Sequence, residues 1–248
     1  MPDRAQACWR GQPLEAVLFD LDGTLLDTLA DIRLALNRAL AEFHWDTMPE
    51  SEVRRMIGRG SPMLIERTAV AQGRMPDAAT RAGLLERFFH HYGALEESGE
   101  LSARSYPGVS EALRSLRAAG LRTAVVTNKQ ERFADRLLRS LHLRPWIDVV
   151  VGGDTCERRK PDPQPLEFAC ERLRAAPEHA LMVGDSINDV LAARAARIPV
   201  ICVPYGYNEG NDPGELPCDA LIDDLSQLPP LLLPGPVARA AFRSMERS

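Results

Sequence analysis

From Val109 onward the sequence alternates helical and strand-like patterns with a regularity that permits few architectures. Leu121–Thr127, Val149–Val151, Ala180–Val183 and Val200–Val203 are short apolar runs, separated by helical patterns over 132–141, 165–174 and 190–196. Strands joined through helices run parallel, connect by right-handed crossovers and are covered on both faces. One more run of the same character, Ala16–Phe19, stands far upstream, so the sheet it joins is discontinuous in sequence. The intervening segment is helical, with Ile32, Leu36, Leu40 and Phe43 at helical spacing and further signals through Tyr92. Leu64, Ile65, Thr68 and Ala69, then Leu84, Leu85, Phe88 and Phe89, line the faces of packed helices. The expected fold is therefore α/β: a doubly wound, Rossmann-like parallel sheet core with an inserted α-helical cap. The core is expected over 14–27 and 106–234, the cap over 28–105, and terminal tails over 1–13 and 235–248. A short helix at Leu228–Leu233, closed by Pro234, precedes the second tail.

Open parallel sheets bind ligands at the carboxyl ends of their strands, and here those ends carry complementary polar groups. Asp20-Leu21-Asp22-Gly23-Thr24 follows the first strand, Thr127-Asn128 the second, Lys160-Pro161 the loop beyond Val149–Val151, and Gly184-Asp185 with Asp189 the fourth. Each has an ordinary reading: an Asp-Gly turn, a β-branched strand residue, a solvated lysine, a helix cap. All four ordinary readings coinciding at four strand ends is the weaker account.

Composition narrows the partners. A net charge of -5 argues against binding along a nucleic-acid backbone, which needs clustered positive charge. The five cysteines are scattered without a C-x-x-C pair, so a disulfide framework or zinc site is not expected and a reducing cytoplasm is the default. No apolar run approaches a membrane span, and the first fifteen residues lack the apolar stretch of a secretory signal. His90-His91 reads as a surface helix pair and Cys156 as inert. Positive charge comes almost wholly from arginine, and the two lysines, Lys129 and Lys160, fall in loops beyond strand ends. A compact ammonium suits a phosphate or carboxylate oxygen; for Lys129 an incidental occurrence stays open.

The set DLDGT, VTN, KP and GDSIND resembles the four signature motifs of the haloacid-dehalogenase-like phosphohydrolase superfamily, in that order and on those elements. The resemblance implies a phosphohydrolase in which Asp20 is the nucleophile, forming an aspartyl phosphate. It further implies Mg²⁺ held by Asp20, Asp185 and the main-chain carbonyl of Asp22. The Asp22 side chain would serve as acid and base in turn. Thr127 and the Asn128 amide would meet the phosphoryl oxygens, and Lys160 would neutralise charge. Asp189 would contact a metal-bound water or orient Lys160. The second aspartate argues against a dehalogenase, and a cap without lysine against a phosphonatase.

The stretches 56–68, 126–130, 149–166, 182–196 and 204–210 are similar to the bacterial phosphoglycolate phosphatases. The implied substrate is 2-phosphoglycolate, a small phosphorylated metabolite, with Arg59 or backbone amides of the Gly58-Arg59-Gly60 loop meeting its carboxylate. The alternatives are another small-metabolite phosphatase or a β-phosphoglucomutase-like phosphotransferase. An idle binding protein on the same scaffold is disfavoured because every catalytic group is present. The expected assembly is a monomer or homodimer. Two departures from the family pattern, Thr28-Leu29 and Arg197 where a glycine commonly ends the helix, are expected to lie away from the chemistry.

Overall fold

The computed structural model describes residues 7–233. Strands β1 (Cys8–Trp9) and β2 (Gln12–Pro13) pair as a hairpin whose turn residues, Arg10 and Gly11, both have positive φ, the conformation a two-residue hairpin turn requires. Trp9 is buried in the core. Residues 7–13, expected as part of a tail, are thus a structured edge. Two-residue strands around an Arg-Gly turn carry too little pattern to read in advance. The tail expected over 235–248 lies outside the described residues.

Strand β3 (Ala16–Phe19) is fully buried. After it come β4 (Leu26–Asp27) and four helices, α1 (Leu29–Glu42), α2 (Glu50–Met56), α3 (Ser61–Ala71) and α4 (Ala78–Ser98). Asp77 caps α4 by accepting from the Thr80 amide, and Gly99 closes it in the left-handed conformation. The chain re-enters the core through β5 (Arg104–Ser105), which pairs antiparallel with β4. Both crossings between core and cap therefore lie side by side. The Asp31 carboxylate on the first turn of α1 fixes the return crossing, accepting from the Ser102 amide at 2.8 Å, its hydroxyl at 2.7 Å and the Ala103 amide at 2.9 Å.

The core continues with α5 (Val109–Ala118), β6 (Arg122–Val126), α6 (Glu131–Ser140), β7 (Val149–Val151) and α7 (Gln164–Leu173). It ends with β8 (Ala180–Gly184), α8 (Ile187–Ala195), β9 (Val200–Cys202), β10 (Ala220–Leu221) and α9 (Leu228–Leu232). Six strands form one parallel sheet in the order β10-β9-β8-β3-β6-β7. The expected doubly wound core is present, and β10 extends its edge. Alternate residues of β3 face opposite layers: Val17 and Phe19 join one apolar cluster with α5 and α6, Ala16 and Leu18 another with α7 and α8. A third cluster, built from Leu36, Leu40, Ile65, Leu84 and Phe88 among others, belongs to the four cap helices. No described helix is long and apolar enough to cross a membrane.

The helical pattern expected from Val190 starts three residues earlier, at Ile187. Ser186 and Asp189 form a reciprocal capping box, so polar residues of the motif open the helix and mask its apolar periodicity. Arg197, at φ 59°, follows the end of α8 in the left-handed region that favours glycine.

Candidate active site

Strand β3 lies between β8 and β6, so chain direction diverges on either side of it and a crevice opens at its carboxyl end. Asp20 follows β3 directly; its amide donates to the Val183 carbonyl at 2.9 Å, tying the two strand ends together. The next turn needs Gly23 at φ +95°, where a Cβ would stand 2.5 Å from an Asp185 carboxylate oxygen. Gly206 clears the other side of Asp185: a Cβ there would approach the same oxygen to 2.2 Å. Glycine at these two positions lets backbone close around the Asp185 carboxylate.

The buried Lys160 ammonium sits at the centre of the cluster. It donates to Asp20 at 2.8 Å, Asp189 at 2.6 Å and the Val126 carbonyl at 2.6 Å. The other Asp189 oxygen accepts from the Ser186 hydroxyl at 2.7 Å and the amides of Ser186 and Asp185. Asp189 therefore joins Lys160 to the start of α8, and of its two expected roles the structure displays the contact with Lys160. Asp185 accepts from the Thr24 hydroxyl at 2.5 Å and the Tyr207 amide at 2.6 Å.

Asp20, Asp185 and Asp189 each place an oxygen within 4.8 Å of the others, all three buried. Burial pushes the Asp20 carboxyl up to about 7 against the opposing pull of Lys160, with the Asp189 and Asp22 charges adding to the rise. Asp185 is driven well above the carboxylate range by burial and then by Asp20 and Asp189. Burial also works against the Lys160 ammonium, but Asp189 and Asp20 outweigh it and its pKa is raised. One ammonium does not balance three carboxylates. Hard oxygen donors in negative excess and out of water form a donor set that fits a divalent cation.

Asp22 projects into a separate, smaller network. Its Oδ1 accepts from the Thr28 hydroxyl at 2.6 Å, and the Lys129 ammonium lies 3.2 and 3.5 Å from its two oxygens. Thr28 thus touches the carboxylate expected to move protons, which corrects the expectation that this departure stands apart from the chemistry. Arg197 stands at the end of α8. Thr127 is buried at the end of β6, its hydroxyl accepting from the Lys129 amide at 3.2 Å. The Asn128 side chain donates to the carbonyls of Gly58 and Lys160, both at 2.9 Å, linking cap to core.

Above these groups lies a cavity of about 50 Å³. Asp20, Asp22, Thr127, Asn128 and Lys129 line its floor, and Ile32, Ile57, Leu64, Phe88 and Tyr92 much of its roof. Arg59 is absent from that lining. Its Nε donates to Glu209 at 2.8 Å, beside a second pair at 2.7 Å between Arg67 and Glu209, and its side chain is 43% exposed. The neighbouring Gly60 and Ser61 do line the cavity. Sequence reasoning passed over Tyr207, whose hydroxyl accepts from the Thr28 and Leu29 amides at 3.0 and 3.1 Å and donates to Asp27 at 2.8 Å. Thr24 was also unassigned. Its place inside the D-x-D-G-T turn was the available signal.

The profile of a family described as haloacid dehalogenase-like hydrolase matches residues 17–203. A phosphoglycolate phosphatase of Nitrosospira multiformis is 44% identical over 221 residues, 89% of this chain and 96% of that one. Another of Rhodospirillum rubrum is 43% identical over 219 residues, 86% of this chain and 89% of that one. Among solved structures, a predicted phosphoglycolate phosphatase from Haemophilus somnus superimposes with a TM-score of 0.81 at 30% identity, covering 87% of this chain and 96% of its own. CbbY from Rhodobacter sphaeroides, solved in complex with phosphate, gives 0.74 at 28% identity, covering 87% and 96%. With its motifs on the same strand ends, the chain belongs to the haloacid dehalogenase-like hydrolase family.

Proposed function

We propose that this chain is a Mg²⁺-dependent phosphomonoesterase that works through an aspartyl phosphate on Asp20 and takes 2-phosphoglycolate as substrate, releasing glycolate and phosphate. The observation carrying the reading is the buried cluster of Asp20, Lys160, Asp185 and Asp189 beneath a cavity between core and cap. The names of relatives aligned over nearly their whole length support the substrate.

The Asp20 and Asp185 carboxylates and the Asp22 main-chain carbonyl would hold the Mg²⁺ ion, whose positive charge, when bound, offsets the repulsion between a carboxylate nucleophile and an anionic ester. Lys160 keeps the Asp20 oxygen oriented and adds fixed positive charge. The Thr127 hydroxyl and Asn128 amide donate to the transferring phosphoryl oxygens. Asp22, positioned by Thr28, gives a proton to the departing glycolate oxygen and then takes one from the water that cleaves the acyl phosphate. Asp189 positions Lys160. Five free thiols fit the cytoplasm as the compartment of action.

Steady-state kinetics on a panel of phosphomonoesters, with Mg²⁺ and with chelator, tests this. The highest kcat/KM is expected for 2-phosphoglycolate, and only with the metal. A hexose phosphate ranking first, or metal-independent turnover, would overturn it.

A further inference from the structure

Lys129 is the one cation among the residues lining the cavity, and the phosphoryl chemistry leaves it without a task. Only two lysines occur in the chain, and both are buried against carboxylates of this site. The Lys129 side chain is 8% exposed. Its ammonium lies near both Asp22 oxygens and 4.4 Å from the centre of the Tyr92 ring. A lysine has three donors, so one lobe held by a carboxylate and another over a ring leaves capacity for a further anion.

The roof supplies a second donor set. Helix α3 begins at Ser61 after Gly60 at φ 81°, and both residues line the cavity. Pro62 offers no N–H, so the donors of this first turn are the Ser61 and Met63 amides, which have no partner within the helix and carry partial positive charge. The remaining roof is apolar, through Ile57, Leu64 and Phe88. An anion entering this space finds Lys129 below, the start of α3 above, and no other charged partner besides the reacting groups.

We propose that Lys129, with the first turn of α3, recognises the carboxylate of a short phosphorylated acid and so selects anionic-tailed phosphomonoesters over neutral-tailed ones. This gives Lys129 the task expected of Arg59, which the structure pairs with Glu209 instead. The inference rests on the phosphomonoesterase reading above, and its test separates the two.

Binding is measured calorimetrically in full-length protein carrying Asp20→Asn, which removes turnover, with Mg²⁺ present. The probes are 2-phosphoglycolate and ethyl phosphate, which keeps the phosphate ester and its first carbon but ends in a methyl group where the acid carries its carboxylate. The first should bind about tenfold to a hundredfold more tightly, the worth of a charge-assisted hydrogen bond in a buried site. Adding Lys129→Met should close that gap while leaving ethyl phosphate nearly unchanged, and Lys129→Arg should restore part of it. A gap that persists in Lys129→Met, an equal loss for both ligands, or no gap at the outset would each overturn the assignment. Turnover by the unaltered enzyme is read separately: failure to hydrolyse 2-phosphoglycolate ends the functional reading, while the binding gap still decides the role of Lys129.

Discussion

The floor and the roof of the cavity are built on different principles. On the floor, Lys160 and Asp189 are each held by several hydrogen bonds, and Asp185 is wrapped by backbone at Gly23 and Gly206. The roof is a set of apolar side chains joined to the core at scattered polar points, among them Asn128 to the Gly58 carbonyl, Arg54 to the Gly206 carbonyl at 3.0 Å, the Tyr207 hydroxyl with the Thr28 and Leu29 amides, and the Arg59 and Arg67 pairs with Glu209. A rigid floor suits chemistry that depends on sub-ångström placement. A roof pinned at scattered points can move to admit and release ligand.

The sharpest way to break this contrast is at the nucleophile. Asp20→Asn should lower kcat by at least about 10⁴-fold, as losses of a covalent nucleophile do, with fold and Tm intact. Near-full phosphate release would show that another group attacks.

A smaller effect comes from charge on the floor. Asp20 is raised from 3.8 to about 7, so in the metal-free protein the folded state retains a proton that the unfolded chain gives up. Stability is then greatest below pH 4 on this account and falls as pH rises toward 7. Melting curves in chelator across that range should show the fall, and added Mg²⁺ should flatten it. A metal-free Tm that climbs steadily over this window would mean the cluster tolerates its charge unaided.

Changes at the roof should be milder. Arg59→Ala removes an exposed ion pair worth about 0–1 kcal/mol, and KM should shift no more than a few-fold, equally for 2-phosphoglycolate and ethyl phosphate. A selective rise for 2-phosphoglycolate would show that Arg59 turns inward when ligand binds. The smallest change lies away from both regions. Arg197→Gly relieves a left-handed backbone at the end of α8 and should stabilise by about 0.5–1 kcal/mol, set against glycine's greater freedom in the unfolded chain. A lower Tm would mean the arginine side chain contributes more than its backbone costs.

The floor was legible in the sequence because each of its groups follows a short apolar strand, and residues two strands apart converge wherever parallel strands end together. Asp20, Thr127, Lys160 and Asp185 are candidates reached this way, and the fold gathers them at one sheet edge. The role of Lys129 on that floor was not legible, and neither were the roof and its attachments. Lys129 differs from an incidental lysine only through Asp22 and Tyr92, which no local pattern brings near it. Tyr207 and Glu209 sit in a loop without periodicity, and their partners lie in the cap or its hinge. Arg59 seemed suited to an anion by position, but Glu209, distant in sequence, competes for it. The hairpin at Trp9 and the pairing of β4 with β5 involve strands of two residues, too short for an alternation to register.

Tyr207 has a consequence for anyone recombining relatives of this enzyme. Its amide braces Asp185 while its hydroxyl holds the backbone where α1 begins. A helical block grafted as the contiguous stretch 28–103 would leave behind, far downstream, the tyrosine that seats it and the glutamate that its arginines grip. A working chimaera has to carry segment 204–211 along with the block, because the unit of exchange in this architecture is defined by contacts and not by continuity of chain.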